Sequence, residues 1–457
     1  MVRLFAVKYF RSTAQKGRRN MKKKILSCVL AATMVASVFT GCGKTTTTRK
    51  TTSFKTDELK ESFKTNQKID TSKDIELTVW ESTNGPDEFI EKAGDYFTKL
   101  YPNIKIKYVN VESTNADSQI ALDGPAGHGP DLFATAHNNI GKLANNENIY
   151  AVPEEEADIV KSSCSASALS GATLTTSDGK STIYGYPVST ETYALFYNKD
   201  IVKEDEVPKT MGDLVNYINN FKGSSDQTAF LFDAGNAYYS VMFTSTKDNH
   251  LYGPNGNDMK DSNMVTDAAI AQMEDFTNLS KAIKMNSADI AYSSNDELFK
   301  AGLLGMEISG AWNIRGFEEA GINFGITSIP ALTATGEPPV NFMGVRCMFV
   351  SDYSKHKPEA VAFAEFLMTK EMQQLRCELT TTMPARDDVL DNIKDEKIMN
   401  YLSGINEQIK YSYPMPNIAQ ASLFWTAFGT AYANIWNGDA ADVKTALSEA
   451  DSAATKK

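Results

Sequence analysis

The sequence has few of the residues that build metal and redox sites. Its 457 residues include four histidines and five cysteines, and no two histidines stand at the spacing of a helical or zinc-finger ligand pair. It also lacks a Gly-x-Ser-x-Gly nucleophile motif, a phosphate-binding loop and a dinucleotide-binding fingerprint. We therefore expect neither a metal nor a cofactor. With 57 acidic residues, a carboxylate pair could always be found, so acid abundance does not indicate an enzyme.

The sequence also lacks an apolar run of the roughly 20 residues that a membrane-spanning helix needs. Its most apolar stretch, Ile25–Phe39, follows a basic start, Met21–Lys24, and ends at Gly41-Cys42. This arrangement is typical of an export signal, either an ordinary secretory signal or a short anchor. Small residues directly before a cysteine resemble a bacterial lipobox. The resemblance implies a true start at Met21, cleavage before Cys42 and a diacylglyceryl group on its thiol.

Charge is unevenly distributed along the chain. Residues 1–41 hold nine of the 46 basic residues and no acidic one. The remaining chain therefore carries 37 basic and 57 acidic residues, a net charge of −20. A body this acidic repels nucleic acids and anionic membranes, so we expect no nucleic-acid partner.

Residues 42–72 are rich in threonine, lysine and serine and show no core-forming period. This composition predicts a flexible tether between the lipid and the folded part. Cys28 lies in the signal and Cys42 at the anchor, which leaves Cys164, Cys347 and Cys377. An odd number of cysteines argues against a disulfide framework, so buried free thiols are favoured, with a single Cys347–Cys377 bridge as the alternative.

Secondary-structure signals predict an α/β protein. Two strand patterns, Ile75–Trp80 and Ile104–Val111, flank a helical pattern over Asp87–Leu100, which together form a βαβ unit with a parallel sheet. Further short strands are predicted at 131–134, 192–197, 230–232 and 322–329, a helix begins at Pro358, and the last 60 or so residues are mostly helical. The pattern alone supports two α/β blocks.

Aromatic residues are abundant, with 19 Tyr, 23 Phe and four Trp. An aromatic ring suits the apolar C–H face of a pyranose, and neighbouring Glu, Asn and Asp suit its hydroxyl groups. Trp80 and Trp436 are predicted to be core residues. Trp312, between Gly310 and Asn313, is predicted to bind ligand.

Several segments, taken in order, resemble the maltose/maltodextrin-binding proteins of ABC importers. They are Gly129-Pro130-Asp131 with the strand that follows it, Tyr186–Glu191 running into Tyr197-Asn198-Lys199-Asp200, Met306–Trp312, and Met415-Pro416-Asn417-Ile418 through Trp425. The last of these is the most specific to the maltodextrin branch. The resemblance extends from about Asp74 to Ala450.

The resemblance implies an α/β fold with two lobes of the periplasmic-binding-protein type, each a mainly parallel sheet flanked by helices, with the ligand in the cleft between them. It places the N-lobe at 73–191 and 328–395 and the C-lobe at 192–327 and 396–457. Three crossovers, at Pro187–Thr192, at Thr327–Pro330 and near residue 395, would act as hinges.

Carried over by position, the resemblance also implies the ligand contacts. Glu191 would accept hydrogen bonds from sugar hydroxyls, and Trp312 and Trp425 would stack on glucose rings. Further contacts would come from Tyr238, Tyr239, Glu81, Asn84, Asn138, Asn139 and Met415. The family's best-known maltose binder has Trp, Asp and Arg where this chain has Thr135, Asn138 and Asn139, so a stacking platform and a charged pair are absent or moved.

The function implied is that of a non-enzymatic, monomeric substrate-binding subunit. It would be held on the extracellular face of the cell membrane through Cys42 and would deliver maltose or maltodextrin to ABC permease subunits. Two alternatives remain open at this point. One is the same fold with another oligosaccharide or small solute, and the other is a secreted glycoside-active enzyme, which needs two carboxylates flanking the scissile bond.

Overall fold

A computed structural model describes residues 49–176 and 178–455 of the chain. The predicted signal region and Cys42, the predicted site of lipid attachment, lie outside these residues. Among the helices of the described part, none combines the length and the apolar composition required to cross a bilayer.

The described chain alternates strands and helices. The strands are β1 Ile75–Glu81, β2 Ile104–Asn110, β3 Leu132–Ala136, β4 Thr173–Thr175, β5 Ser181–Ile183, β6 Tyr186–Glu191, β7 Tyr193–Asn198, β8 Thr228–Leu231, β9 Leu304–Gly310, β10 Phe324–Thr327, β11 Asn341–Val350 and β12 Ser412–Pro414. The helices of the first half are α1 Thr56–Ser62, α2 Pro86–Leu100, α3 Ala116–Asp123, α4 Ile140–Asn145, α5 Ala157–Ser162, α6 Ala166–Ala172, α7 Met211–Asn220 and α8 Ala237–Ser240. Those of the second half are α9 Asp267–Ile283, α10 Tyr292–Lys300, α11 Ile314–Glu319, α12 Lys357–Leu367, α13 Lys370–Thr380, α14 Glu396–Ile409, α15 Ala421–Asn437 and α16 Val443–Ala454.

The first βαβ unit forms where its local signals predict it. Pro86 stands in the first turn of α2, where its missing N–H leaves no partner unsatisfied. Asp87 accepts a hydrogen bond from the Gly85 N–H at 2.8 Å. The apolar side of the helix, including Phe89, Ile90 and Phe97, is fully buried. β1 then pairs in parallel with β2, with Ile75 opposite Ile104.

The strands form two main sheets. The first has the order β12-β11-β3-β1-β2, and β6 also pairs with β11. The second has the order β10-β7-β9-β8, and β4 and β5 form a separate hairpin. In the first sheet, β1 is parallel to β2 and β3, and β11 is parallel to β12 but antiparallel to β3 and β6.

The second sheet differs from the predicted mainly parallel arrangement. Its β8–β9 pair is parallel, but β7 is antiparallel to both β9 and β10. The physical reason is the direct passage from β6 to β7 through Thr192. β7 enters the second sheet from the first without an intervening helix, so it is not part of a βαβ unit, and antiparallel pairing results.

Three apolar clusters hold the sheets and helices together. Alternate residues of the first sheet point to opposite faces, so Leu77 and Val79 enter one cluster with α2, α12 and α13. Trp80 and Phe133 enter a second cluster on the other face. The third cluster surrounds the second sheet and includes Trp436. Trp80 and Trp436 are each 3% exposed, which confirms the prediction that both are core residues.

A group of buried and half-buried polar side chains lies where the chain passes between the two sheets. We call Thr192, Asn341, Gln408 and Ser412 the crossover cluster. Thr192 Oγ1 donates to the Phe342 carbonyl at 2.8 Å, and the Asn341 amide donates to the Tyr193 carbonyl at 3.0 Å. The Asn341 Oδ1 accepts hydrogen bonds from the side chains of Gln408 and Ser412. Three separate stretches of chain are thereby joined at one point.

Residues 49–72, which we call the N-terminal strap, correct the prediction of a flexible tether over 42–72. They include α1, whose Leu59 is fully buried. Phe63 packs edge-on against Phe366, with ring centroids 5.5 Å apart. The overall polar composition masked a sparse apolar series, Phe54, Leu59 and Phe63, whose spacing places these side chains against the first sheet's helices.

The cysteines agree with the prediction of free thiols and not with a Cys347–Cys377 disulfide. Cys164, Cys347 and Cys377 are all free thiols, and Cys347 and Cys377 are buried. The Cys347 side chain lies against Gly185, where a Cβ atom would come within 2.7 Å of its sulfur. The thiol therefore fills space in the core on the second face of the first sheet.

The strap also covers a buried pair of carboxyl groups. Glu156 is fully buried and accepts hydrogen bonds from the Asn66 N–H at 3.0 Å and the Gln67 side chain at 2.8 Å. Glu365 on α12 is 3% exposed. Burial and, to a smaller extent, the neighbouring Glu156 raise the pKa of Glu365 to about 9, whereas the nearby Thr65 hydroxyl lowers it. Glu365 is therefore protonated at neutral pH.

We expect Glu365→Gln to stabilise the protein at pH 8. Glu365 titrates near 4.5 when unfolded and near 9 when folded, so between these values the folded state holds a proton that the unfolded state lacks. Stability therefore falls as pH rises through this window. Glutamine does not titrate, so the variant lacks this pH dependence. We expect its free energy of unfolding at pH 8 to exceed that of wild type by about 1–3 kcal/mol, and the difference to shrink towards pH 4.5.

Urea unfolding of the two proteins across pH 4.5–9 measures this difference. The matched control is Glu91→Gln, the same change at an exposed position of α2, and it should leave the pH profile unchanged. Parallel profiles for wild type and Glu365→Gln would contradict the assignment of a protonated Glu365.

Candidate functional site

A cavity of about 940 Å³ lies between the two sheets. It is bordered by the segments that follow β1, β2, β3 and β9, at their carboxyl ends, which is where open α/β sheets place their ligand sites. Most of the predicted site residues line it, namely Glu191, Trp312, Trp425, Tyr238, Tyr239, Asn84, Asn138, Asn139 and Met415. Glu81 does not. The structure thus brings together residues that are more than 300 positions apart in sequence.

The first-sheet side of the cavity is a polar wall. Ser82, Thr83 and Asn84 follow β1, and Asn138 and Asn139 follow β3. Asn84 adopts a left-handed conformation with φ of 64°, which asparagine tolerates better than most residues. The next residue, Gly85, has φ of 120°. This sharp turn ends β1 and starts α2, and it leaves the Asn84 side chain at the cavity.

Thr135 and Asn139 are connected behind this wall. The Asn139 amide donates to Thr135 Oγ1 at 2.9 Å, and Thr135 Oγ1 donates to the Ser113 carbonyl at 2.8 Å. Thr135 is fully buried, so its hydroxyl is held by the protein. Positions 135, 138 and 139 therefore carry a buried hydroxyl and two amides, and no aromatic or charged side chain.

Glu81 lies beneath the cavity and does not line it. It is fully buried, and its carboxylate pairs with Arg346 at 2.9 Å and with Arg376 at 3.4 Å. It also accepts the Ser82 N–H at 2.8 Å. The expectation of a direct polar contact from Glu81 to the ligand is therefore corrected. Its carboxylate is occupied by two arginines and a backbone amide, and it compensates their charge.

Arg346 and Arg376 line the cavity and were missed from the sequence. Arg346 is the one partly exposed position in the burial pattern of β11, and it also donates to Ser82 Oγ at 3.2 Å. The Nε atoms of both arginines are buried without a protein partner. An arginine inside an apolar run such as Asn341–Val350 was the available sequence signal, because a charge is placed in a central strand only where it is paired.

The second-sheet side of the cavity is an aromatic wall. It consists of Tyr238, Tyr239, Tyr292, Trp312 and Trp425. Tyr238 and Tyr239 pack edge to face with ring centroids 5.1 Å apart, and Tyr239 stacks on Tyr292 at 5.6 Å. Tyr238 lies 6.3 Å from Trp312. These contacts fix the rings against one another and leave Tyr238, Tyr292, Trp312 and Trp425 partly exposed.

Trp425 reaches the wall from the first turns of α15 and packs edge-on against Phe342, with centroids 5.8 Å apart. Met415 is 7% exposed, and its carbonyl oxygen is held by His137. The His137 Nδ1 accepts the Val345 N–H at 3.0 Å, so its Nε2 donates to the Met415 carbonyl at 2.9 Å. Burial lowers the pKa of His137 to about 4, which keeps this ring neutral.

Glu191 ends β6, one residue before the crossover cluster, and is partly exposed in the cavity. It accepts a hydrogen bond from Ser189 at 3.3 Å, so most of its acceptor capacity is free. Burial, and then the Glu191 carboxylate, raise the pKa of Tyr238. The Tyr238 phenol therefore keeps its proton and is available as a donor beside an acceptor.

The geometry suits the binding of a polar, ring-shaped solute. The cavity offers apolar ring faces on one side and hydrogen-bonding groups on the other. Within the described residues, no group of three or more His, Cys, Asp or Glu is arranged to hold a metal ion.

Comparison with known proteins gives the class. Residues 92–400 match the family of bacterial extracellular solute-binding proteins. The chain belongs to this family.

The names of two individual relatives specify a ligand. The chain is 31% identical over 392 residues to a galactooligosaccharide-binding protein of Bacillus subtilis, covering 83% of this chain and 88% of the relative. It is 26% identical over 382 residues to a maltooligosaccharide ABC transporter solute-binding lipoprotein of Streptococcus pneumoniae, covering 82% and 87%.

Solved structures are similar over almost their whole length. MalX from Streptococcus pneumoniae, in complex with maltopentaose, superposes with a TM-score of 0.72 at 25% identity, covering 83% of this chain and 99% of MalX. A cyclo/maltodextrin-binding protein complexed with maltotetraose gives a TM-score of 0.70 at 25% identity, covering 86% and 98%. The predicted two-lobe α/β fold and the resemblance to this family are confirmed, as is the prediction of a binding protein and not an enzyme.

We expect Glu81→Gln to lower the free energy of unfolding by about 3–5 kcal/mol, because it leaves two buried arginines without their shared counter-charge. Urea denaturation followed by circular dichroism measures this loss. Glu76→Gln, on the same strand, is the matched control. Its pair with Lys107 at 3.5 Å is more than half exposed, so its loss should stay within about 1 kcal/mol. Equal losses would contradict the role given to Glu81.

Proposed function

We propose that this protein is the substrate-binding subunit of an ABC sugar importer and that it captures maltooligosaccharides in the cavity. The observation that carries the proposal is the opposition of an aromatic wall to a polar one. Trp312, Trp425 and Tyr238 offer faces for the C–H surfaces of glucose rings. Glu191, Asn138 and Asn139 offer acceptors and donors for the hydroxyls, and a charged acceptor such as Glu191 makes the stronger bonds.

The size of the cavity favours an oligosaccharide. Its volume of about 940 Å³ is near the upper end of the roughly 300–1,000 Å³ typical of small-molecule sites. The two solved relatives described above hold maltopentaose and maltotetraose. A galactooligosaccharide is the second candidate, because the relative that is 31% identical carries that name.

Binding would be coupled to movement of two lobes. We propose the N-lobe as residues 73–191 and 328–395 and the C-lobe as 192–327 and 396–457, with the strap added to the N-lobe. The two main sheets support this division, with one exception: β12, which falls in the C-lobe range, pairs with β11 of the first sheet. Rotation would take place in the crossovers, near the crossover cluster, while both cores stay packed. The ligand would favour the closed form through its contacts with both walls.

Delivery to permease subunits and attachment to the extracellular face of the membrane complete the proposal. The lipobox-like junction at Cys42 supports a lipid anchor, and the relative from Streptococcus pneumoniae is named a lipoprotein. The thioether-linked diacylglycerol supplies two acyl chains, which suffice for stable anchoring. We propose that the protein acts as a monomer.

We expect Trp312→Ala and Trp425→Ala each to weaken maltodextrin binding by about ten- to hundredfold, through loss of stacking and apolar burial. Glu191→Gln should weaken it to a similar degree by removing a charged acceptor. Calorimetric titration with maltose through maltoheptaose measures these effects.

Trp436→Phe is the matched control, because Trp436 belongs to the core and does not line the cavity. Its affinity should equal that of wild type. Parallel titration with galactooligosaccharides separates the two candidate ligands, and turnover of maltopentaose followed by chromatography tests the enzyme alternative. Unchanged affinity in all three cavity variants would contradict the proposed site.

We expect Cys42→Ser to abolish lipid attachment, because serine has no thiol to accept the diacylglyceryl group. The variant should remain unprocessed or be released into the medium. Membrane fractionation and mass spectrometry of the mature N-terminus measure the change. Cys164→Ser, which alters a cysteine inside the folded part, should fractionate like wild type. A Cys42→Ser protein with normal mass and membrane association would contradict the anchor.

A further inference from the structure

The indole of Trp312 is held by side chains that the proposed binding scheme does not include. Its Nε1–H donates to the phenol oxygen of Tyr292, the first residue of α10. The Asn313 amide has three acceptors within reach, and the two nearest are the Asp296 carboxylate at 2.7 Å and the same phenol oxygen at 2.8 Å, with Ser309 Oγ at 2.9 Å. Asp296 is 6% exposed. The four side chains therefore form one hydrogen-bonded group behind the aromatic wall.

Tyr292 has no acceptor capacity left for a ligand. Its oxygen has two lone pairs, and Trp312 and Asn313 occupy both. Burial raises the pKa of Asp296 to about 6, against hydrogen bonds from Asn313 and Tyr292 that lower it. The phenol group is therefore committed to the protein, although the ring lines the cavity.

Gly310 fixes the indole from a second direction. The Trp312 ring lies so close to this glycine that a Cβ atom at position 310 would be 2.2 Å from ring carbons. Since no side chain fits there, the indole can rest directly on the backbone at the end of β9. One edge and one face of the ring are thus occupied by protein, while Trp312 still lines the cavity.

We propose that Tyr292, Asn313 and Asp296 are positioning residues that hold the indole of Trp312 with its N–H turned away from the ligand. Trp312 then selects a saccharide by the apolar C–H face of a pyranose and not by a hydroxyl group. This inference rests on the proposed function and adds a specificity rule to it. The alternative arrangement, an indole N–H donating to a sugar hydroxyl, would require breaking the bond to Tyr292.

A double-mutant cycle in calorimetric titration with maltotriose through maltoheptaose tests the proposal. Tyr292→Phe should weaken binding by about three- to tenfold, because the freed indole loses its fixed orientation. In a Trp312→Phe background, which has no indole N–H, Tyr292→Phe should cause no further loss. Additive losses, or tighter binding by Tyr292→Phe, would overturn the proposal.

Two variants of Asp296 examine its hydrogen bond with Asn313. Asp296→Asn keeps an acceptor for Asn313 and should bind within twofold of wild type, whereas Asp296→Ala should reproduce the Tyr292→Phe loss. Equal losses in both would overturn the hydrogen-bonded role. The matched control is Tyr252→Phe, which loses a buried phenol bond to the Ala454 carbonyl at 3.0 Å, away from the cavity, and should leave affinity unchanged.

A measurement without ligand separates this inference from the proposed function. Acrylamide quenching of wild type minus that of Trp312→Phe isolates the fluorescence of Trp312. Tyr292→Phe and Gly310→Ala should each make this fluorescence more accessible to quencher. Absence of saccharide binding by wild type would defeat the proposed function. Unchanged quenching in both variants would overturn the positioning role, whatever wild type binds.

Discussion

The buried amide of Asn341 is the contact on which the arrangement of this protein depends. It joins the start of β11 to the Tyr193 carbonyl, and its oxygen receives Gln408 and Ser412. Buried polar groups are costly unless they are paired, so these segments are stable only when all meet at this point. The meeting point sets the positions of Glu191 on one side and Tyr193 on the other. It therefore determines where the polar and aromatic walls face each other.

The two walls contribute different physical terms to recognition. The aromatic wall is preorganised by ring contacts and by Gly310, so little conformational entropy remains to be lost when a ligand packs against it. The polar wall stands on the Arg346–Glu81–Arg376 group, whose excess positive charge is offset by the nearby Glu191 carboxylate. A cavity with balanced charge suits a neutral ligand, since an ionised one would leave a buried charge unpaired. The hydrogen-bonding groups of the polar wall would set the orientation of a ligand, and the rings of the aromatic wall would supply apolar contact area.

Local sequence signals predicted the parts of the fold that depend on neighbours in sequence. The β1–α2–β2 unit follows from apolar periodicity, and Trp312 stood out because Gly310 and Asn313 flank it. The resemblance to a family supplied Glu191, Trp425 and Met415, which no local pattern indicates. Arg376 and Tyr292 were missed because they reach the cavity only through packing between distant segments. The burial of Glu81 depends on its pairing with Arg346 and Arg376, and it was missed for the same reason.

The strap shows a different reason why a prediction from sequence was wrong. Its composition is that of a disordered linker, and three apolar side chains, well separated in sequence, decide that it folds. Phe54 lies against Tyr96 at 6.0 Å, and Thr52 donates to Glu378 at 2.7 Å. Arg49, at its start, contacts Glu318 and Thr381. Glu318, Glu378 and Thr381 lie more than 260 positions away in sequence, so composition within a window of the sequence could not identify them.

Docking of the strap changes the distance at which a lipid-anchored protein would work. A free tether over residues 42–72 would reach about 100 Å at full extension, at roughly 3.5 Å per residue. With Arg49 fixed on the folded body, a lipid on Cys42 would lie at most about 25 Å away by the same measure. The body would then sample a thin layer above the bilayer. Its effective concentration at a permease in the same membrane rises as that layer becomes thinner, so the strap would act as a spacer that favours repeated encounters over a wide search.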